Sequence, residues 1–355
     1  MNAILRRISK WWDYYLSDPD KQTLLLFMLT VTALFFIFSE FLAPVFASVV
    51  IAYLLDVVIK HLQNYMPRKI AVYIVYTITL SLVLLGLLVV LPLVWQQVRA
   101  LLHDLPAKIT RGQAFFTQLQ ASYPQYVSAE QVQTVLAEFK ADVAKFGQVI
   151  LSISLNTIPG IIVLVVYFVL VPLLVYFFLM DKEVIMAWIG QYMPKHRRLL
   201  QQVWVEVQEQ IGNYVGGRVL EVVLVTVVTH IVFSILGLNY SLLLASLVGL
   251  SVIVPYIGII VVTVPVVIIA LFQWGWSSHF AYTMIAYTVL TIIDANVLVP
   301  LLFGEAIQVH PVAIIIAILF FGGIGGFWGI FFAIPLAGLV KALLGAWQQK
   351  EITAT

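Results

Sequence analysis

The feature that most limits this chain is a series of apolar runs, most of them long enough to cross a bilayer, following one another along the sequence. They cover 23–39, 44–59, 70–94, 150–180, 218–237, 241–273, 280–302 and 311–345. A spanning helix needs about 20 apolar residues, and lipid offers no partner to open backbone groups, so such runs fold as helices. Composition agrees. Of 355 residues, 62% are hydrophobic and 10% are charged, where a soluble domain carries roughly 25% charged residues. A water-soluble enzyme, a disordered chain and a fibre are excluded. The expected class is an all-α polytopic membrane protein with further amphipathic helices outside and inside the membrane. Cysteine is absent, which excludes disulfides, zinc-thiolate sites and a cysteine nucleophile. A net charge of +2 without a basic block offers nothing to nucleic acid.

Polar stretches divide the runs. Residues 1–22 form an amphipathic lead, with Ile4, Leu5, Ile8, Trp11, Trp12 and Tyr15 against Arg6, Arg7 and Lys10. This suits an interfacial helix or a short helix docked on the protein. The first run carries no cleavage signal and reads as an uncleaved anchor. Asp18-Pro19 reads as a helix start, and Glu40 with Pro44 as the interruption between the first two spans. With the N-terminus inside, every basic residue falls on the inner side except Arg99, Lys108, Arg111, Lys140 and Lys145, which lie in 95–149. Loop charge therefore predicts both termini in the cytoplasm and 95–149 outside. That outer segment is helical by pattern. Val98, Leu101, Leu102, Leu105 and Ile109 form one stripe; Ser128 with Gln131 opens a capping box before Val132, Val135, Leu136, Phe139, Val143 and Phe146. Inside, Leu200, Val203, Trp204, Val207 and Ile211 form a stripe in 181–217 that leads to Gly212, Gly216 and Gly217. Small residues at that spacing serve close helix contact or a hinge. The expected organisation is a scaffold of three spans (23–94), outer helices (95–149), a long fourth span (150–180), an inner helix (181–217), a transport region (218–345) and a cytoplasmic tail (346–355).

Motifs of soluble catalysis are absent: no phosphate loop, no H-E-x-x-H helix and no G-x-S-x-G elbow occurs. No cofactor is expected. Ionisable groups inside apolar runs are costly and so carry a functional expectation. Asp294 sits mid-run in Ile292-Ile293-Asp294-Ala295-Asn296. It reads as an ion, proton or substrate site, or as a buried Asp bonded to a neighbouring helix. Glu221, three residues from Arg218, reads as one half of an ion pair. His230 reads as a satisfied core histidine, and His310 is a secondary candidate.

The backbone is the more informative signal. Residues 241–273 carry Pro255-Tyr256-Ile257-Gly258 and Pro265. Residues 311–345 carry Gly322-Gly323-Ile324-Gly325-Gly326, Gly329 and Pro335. Each stretch is too long for one clean helix and breaks near its middle. A break frees carbonyls and amides that must be buried in protein or line a water-filled cavity. Paired, interrupted segments point to a transporter's binding site. Loop charge fits two re-entrant hairpins, 241–273 and 311–345, dipping from opposite faces, which is the arrangement expected here; two ordinary spanning pairs give the same parity.

Ile253-Val254-Pro255-Tyr256-Ile257-Gly258, then Asp294-Ala295-Asn296 with Pro300 and Gly304, then His310-Pro311, Gly322-Gly323, Gly329 and Pro335 together resemble the autoinducer-2 exporter family, and within it the PerM-type permeases. Leu179-Met180-Asp181-Lys182-Glu183 and Gly237-Leu238-Asn239-Tyr240-Ser241 are similar too. The resemblance covers nearly the whole chain. It implies a bacterial inner-membrane transporter with about eight membrane segments, a homo-oligomer such as a pentamer, and elevator-like movement of a transport part against a scaffold. Members are linked to export of autoinducer-2 and to sodium–proton exchange. The expected function is therefore a secondary transporter or permease for a small solute. Pro255, Tyr256 and Gly258 would shape one tip, Gly322, Gly323, Gly325 and Gly326 the other, and Asp294 with Asn296 would supply polar contacts. Pro265, Pro300, Gly304, Pro311, Gly329, Pro335, Gly216 and Gly217 are expected as hinges or turns. The alternatives are a cation/proton antiporter in which Asp294 titrates, coupled to protons or sodium, and a non-transporting membrane scaffold.

Overall fold

A computed structural model of the chain describes residues 19–122, 134, 137, 157–192, 198–303 and 310–341. Among these residues every regular element is helical. Five helices are long and apolar enough to cross a membrane, or six if one bent pair counts as a span. The chain is thus an all-α membrane protein. The amphipathic lead before Pro19, the capping box at Ser128, Gly304 and the tail from 346 lie outside the described residues.

The first helix, α1, runs Pro19–Leu62. Its opening proline matches the expected start, since the amide proline lacks is unpaired in a first turn anyway. The expected break at Glu40 and Pro44 does not occur: the helix passes through both. Pro44 removes only the ladder bond to the Glu40 carbonyl, a loss membrane helices tolerate. Helix α2 (Arg68–Leu85), a π turn (Gly86–Val90) and α3 (Leu91–Ser122) make one helical path. The third run therefore does not end as a helix at 94, and its continuation carries the Val98–Ile109 stripe. Helix α4 (Thr157–Met180) keeps Pro172 inside it, and α5 (Lys182–Tyr192) leaves it at an 82° bend.

Helix α6 (Arg198–Ile235) is continuous. Gly216 and Gly217 lie within it, so the expected hinge is absent from its backbone. Close contact is the role nearby: a Cβ on Gly212 would stand 2.4 Å from Cε1 of Tyr53 on α1. Then come α7 (Ser241–Ser251), α8 (Ile257–Trp274), α9 (Ser278–Ile293), a second π turn (Asp294–Leu298), α10 (Val299–Phe303) and α11 (Pro311–Phe331), with a last helical run at 333–341.

The chain divides into two compact units. One comprises Met1–Leu80, Val166–Gly217 and Phe303–Thr355, the other Ser81–Val165 and Arg218–Leu302. The two interrupted stretches, read from sequence as one transport region, thus belong to different units. The first unit packs Ile59, Ala71, Val72, Val175 and Leu179 into a core. Beside that core, the carboxylate of the buried Asp56 accepts hydrogen bonds from Lys182 Nζ at 2.7 Å and Arg68 Nη2 at 3.2 Å, with Lys60 at 3.7 Å. Arg68 also donates to the Leu179 carbonyl. One carboxylate so ties α1, α2 and the α4–α5 bend. The second unit centres on Phe233, Leu244, Val248, Val266, Ala270 and Tyr287. At its α3 edge, Gln97 Oε1 accepts from the Leu243 amide at 2.8 Å, and Tyr240 donates its hydroxyl to Asp104. Burial, then the bond to Asp104, hold the Tyr240 phenol above its ordinary pKa.

Candidate functional site

The first interrupted stretch breaks where the sequence predicts. Helices α7 and α8 are joined by residues 252–256 and share one core, with Leu244 and Val248 against Val262, Val266 and Ile269. The base is closed by one side chain: Gln273 accepts from the Asn239 amide and donates to the Gly237 carbonyl, both at 2.8 Å. The pair is therefore a helical hairpin whose first arm, at 11 residues, is about 16 Å long and too short to cross a bilayer.

Its tip depends on two residues. Tyr256 sits at φ 64°, exposed, a conformation costly for a side chain with a Cβ. Gly258 lies against the end of α7, where a Cβ would stand 1.8 Å from the Ser251 carbonyl oxygen. Only glycine fits there. Pro255 begins the reversal, its carbonyl accepting from the Ile257 amide at 2.7 Å.

Arg218 meets this tip from α6. It is 4% exposed and donates from Nη1 to Glu221 Oε2 and to the Val252 carbonyl, both at 2.7 Å; Glu221 is 1% exposed. Glu221 is the ion-pair partner the sequence predicts. The reach to Val252 is not legible in sequence, because Arg218 opens an apolar run and counts there as a loop charge. The signal that marks it as buried is the i, i+3 spacing to Glu221.

Asp294 completes the cluster. It opens the second π turn, its carbonyl accepting from the Val299 amide. Pro300 explains the wide turn: it has no amide to continue the ladder, and the preceding turn loosens to accommodate its ring. The first π turn is built alike, with the Leu91 amide donating to the Gly86 carbonyl just before Pro92. A π turn shifts one side chain out of helical register, and such turns gather at functional sites. Asp294 lies within electrostatic reach of Arg218 and Glu221, and its Oδ1 is buried without a protein hydrogen bond. Asn296, expected beside it, is exposed and donates back to the Ile292 carbonyl of its own helix. The two polar residues thus part company.

In the other unit, the 311–341 stretch kinks at Gly326, φ 54°. A Cβ on Gly329 would stand 1.8 Å from the Phe321 carbonyl oxygen, and one on Gly322 would meet Ile330 Cγ1 at 2.8 Å, whereas Gly323 and Gly325 face open space. Both interrupted stretches therefore turn on a glycine pressed against a carbonyl of the incoming helix. The remaining prolines do not act as breaks. Pro265 lies within α8, and Pro311 and Pro335 lie in first turns. His310 caps α11, Nδ1 accepting from the Val312 amide at 3.3 Å. His230 is half-buried, 3.4 Å from Ser234 Oγ.

A family model described as AI-2E family transporter matches residues 25–349. The chain is 40% identical to the Escherichia coli K12 protein named "Putative permease PerM" over 350 residues, 98% of this chain and 99% of that one. It is 24% identical to "Putative transport protein YueF" of Bacillus subtilis over 334 residues, 90% and 89% of the two chains. A hairpin broken within an apolar run, a π turn bearing a carboxylate with one buried oxygen, and a match over nearly the full length lead to one conclusion: the chain belongs to the AI-2E family of transporters.

Proposed function

We propose that the chain is a secondary permease that moves a small polar solute across the bacterial inner membrane, with the α7–α8 tip, Arg218 and Asp294 forming the solute's polar contact. One observation carries this reading. The tip's backbone is interrupted inside an apolar run, and the cluster beside it holds a buried carboxylate oxygen with no protein hydrogen bond. Lipid cannot satisfy such groups, whereas a solute or water can. Loop charge favours both termini in the cytoplasm. The family resemblance supports elevator-like alternating access in a homo-oligomer, and an autoinducer-2-like polyol as the first solute to try.

The test is purified protein in liposomes, assayed with a panel of small solutes under defined ion gradients. Asp294→Asn is expected to abolish flux with expression intact. Wild-type flux in that variant defeats the site. A second reading, cation/proton antiport, is favoured by the same orphan oxygen, since a proton or sodium ion satisfies a carboxylate as well as a solute hydroxyl does. Antiport vanishes in Asp294→Asn on that reading, while neutral-solute flux survives.

A further inference from the structure

Helix α5 presents an apolar face that the first unit leaves uncovered. Val184, Trp188 and Tyr192 follow one another at intervals of four, and are 70%, 59% and 74% exposed. Ile185 and Ile189 extend the same face, Lys182 lies at its edge, and Glu183 lies opposite. Trp188 and Tyr192 meet edge to face at 5.2 Å.

What covers this face follows from where the helix sits. It has 11 residues, about 16 Å of length, and does not span. It leaves α4 at 82°. Spanning helices tilt by about 20° from the bilayer normal, so a helix at such an angle to one lies within about 30° of the membrane plane. The exposed apolar stripe of α4, Val169, Leu173 and Phe177, reaches the bend at which α5 begins. The depth of that bend is marked by charge. Lys182, the first residue of α5, is bonded to Asp56, which also holds Arg68 and Lys60, and such a group belongs at headgroup depth rather than among acyl chains.

We infer that α5 is an interfacial anchor: it lies flat at the headgroup–acyl boundary, its Val184–Trp188–Tyr192 face immersed in lipid, and the Asp56 knot fixes it to the first unit. The partner is the lipid surface. Tryptophan and tyrosine are the side chains that favour this depth, with ring bodies in the apolar layer and polar tips toward water.

The natural chain contains no cysteine, so single labels carry no background. Val184→Cys and Glu183→Cys, each bearing an environment-sensitive fluorophore, are compared in nanodiscs whose lipids carry a nitroxide near the headgroup. Quenching at Val184→Cys is expected to exceed that at Glu183→Cys by about threefold. If Val184→Cys fails to elute as folded protein, Tyr192→Cys, at the exposed end of the same face, gives the same readout. Equal quenching on the two faces overturns the inference. So does weak quenching at Val184→Cys combined with crosslinking between two copies, which would make the cover a second chain.

Discussion

Gly258→Ala is the smallest change that reaches the hairpin tip. The added methyl would stand 1.8 Å from the Ser251 carbonyl oxygen, 2.7 Å from its carbon and 3.1 Å from its Cα. All three are backbone atoms, so no flexible side-chain end can swing away. To restore ordinary contact the turn must open by about 1.5 Å, and overpacking of this kind costs about 3 kcal/mol. The same turn holds the Val252 carbonyl against Arg218 at 2.7 Å. Opening it by that much takes this bond out of range and adds about 1.5 kcal/mol for a charged donor. The expected effect is a marked fall in the temperature at which purified protein survives heating and size-exclusion, together with loss of flux in liposomes. Gly323→Ala is the control, because nothing lies within 4 Å of the added methyl; it is expected to match wild type in thermal survival. Unaltered survival and flux in Gly258→Ala would refute the reasoning, since no tight turn would then depend on that glycine.

Gly329→Ala, whose methyl would overlap the Phe321 carbonyl at 1.8 Å, is expected to lose thermal survival as Gly258→Ala does; the same heating assay checks it. Arg218→Ala leaves Glu221 buried without its ion-pair partner and is expected to cost about 3–5 kcal/mol. Adding Glu221→Gln should recover part of that loss in the same assay, and a double variant no better than the single would contradict the pairing. Asp56→Ala removes the acceptor shared by Lys182 and Arg68 and is expected to cost about 2 kcal/mol, less than the Arg218 change because its partners are partly exposed; retained wild-type heat stability would contradict it.

Much of the helical layout is legible in the sequence because lipid removes the alternatives. Apolar length and proline–glycine interruptions suffice to place the breaks near Pro255 and Gly326. What the sequence does not reveal is how proline acts at each position. Pro44, Pro172 and Pro265 sit inside continuous helices, since one lost ladder bond is tolerable when the rest of the helix is kept. Pro92 and Pro300 convert the turn before them into a π turn. The site is legible only by halves. Asp294 stands out as a lone carboxylate in an apolar run, but Asn296, two positions on, lies on the opposite side of its helical turn and bonds back to its own helix. Arg218 reads as a loop charge because its acceptor, the Val252 carbonyl, is remote in sequence and carries no side-chain signature. Asp56 is hidden for a similar reason: Arg68 and Lys182 come to it from separate helices.

The central claim is that water and solute reach the α7–α8 tip inside the membrane. The most direct measurement places one cysteine at a time in the natural, cysteine-free chain, Ile257→Cys at the tip and Val261→Cys one turn along the same helix, both side chains being exposed. Each is reconstituted in liposomes and treated with a small charged thiol reagent, which enters hydrocarbon only at a cost of several kcal/mol. Reaction at Ile257→Cys is expected to be at least about tenfold faster than at Val261→Cys. Equally slow reaction at both positions would mean that the tip faces only lipid, and the permease site proposed at it would fail.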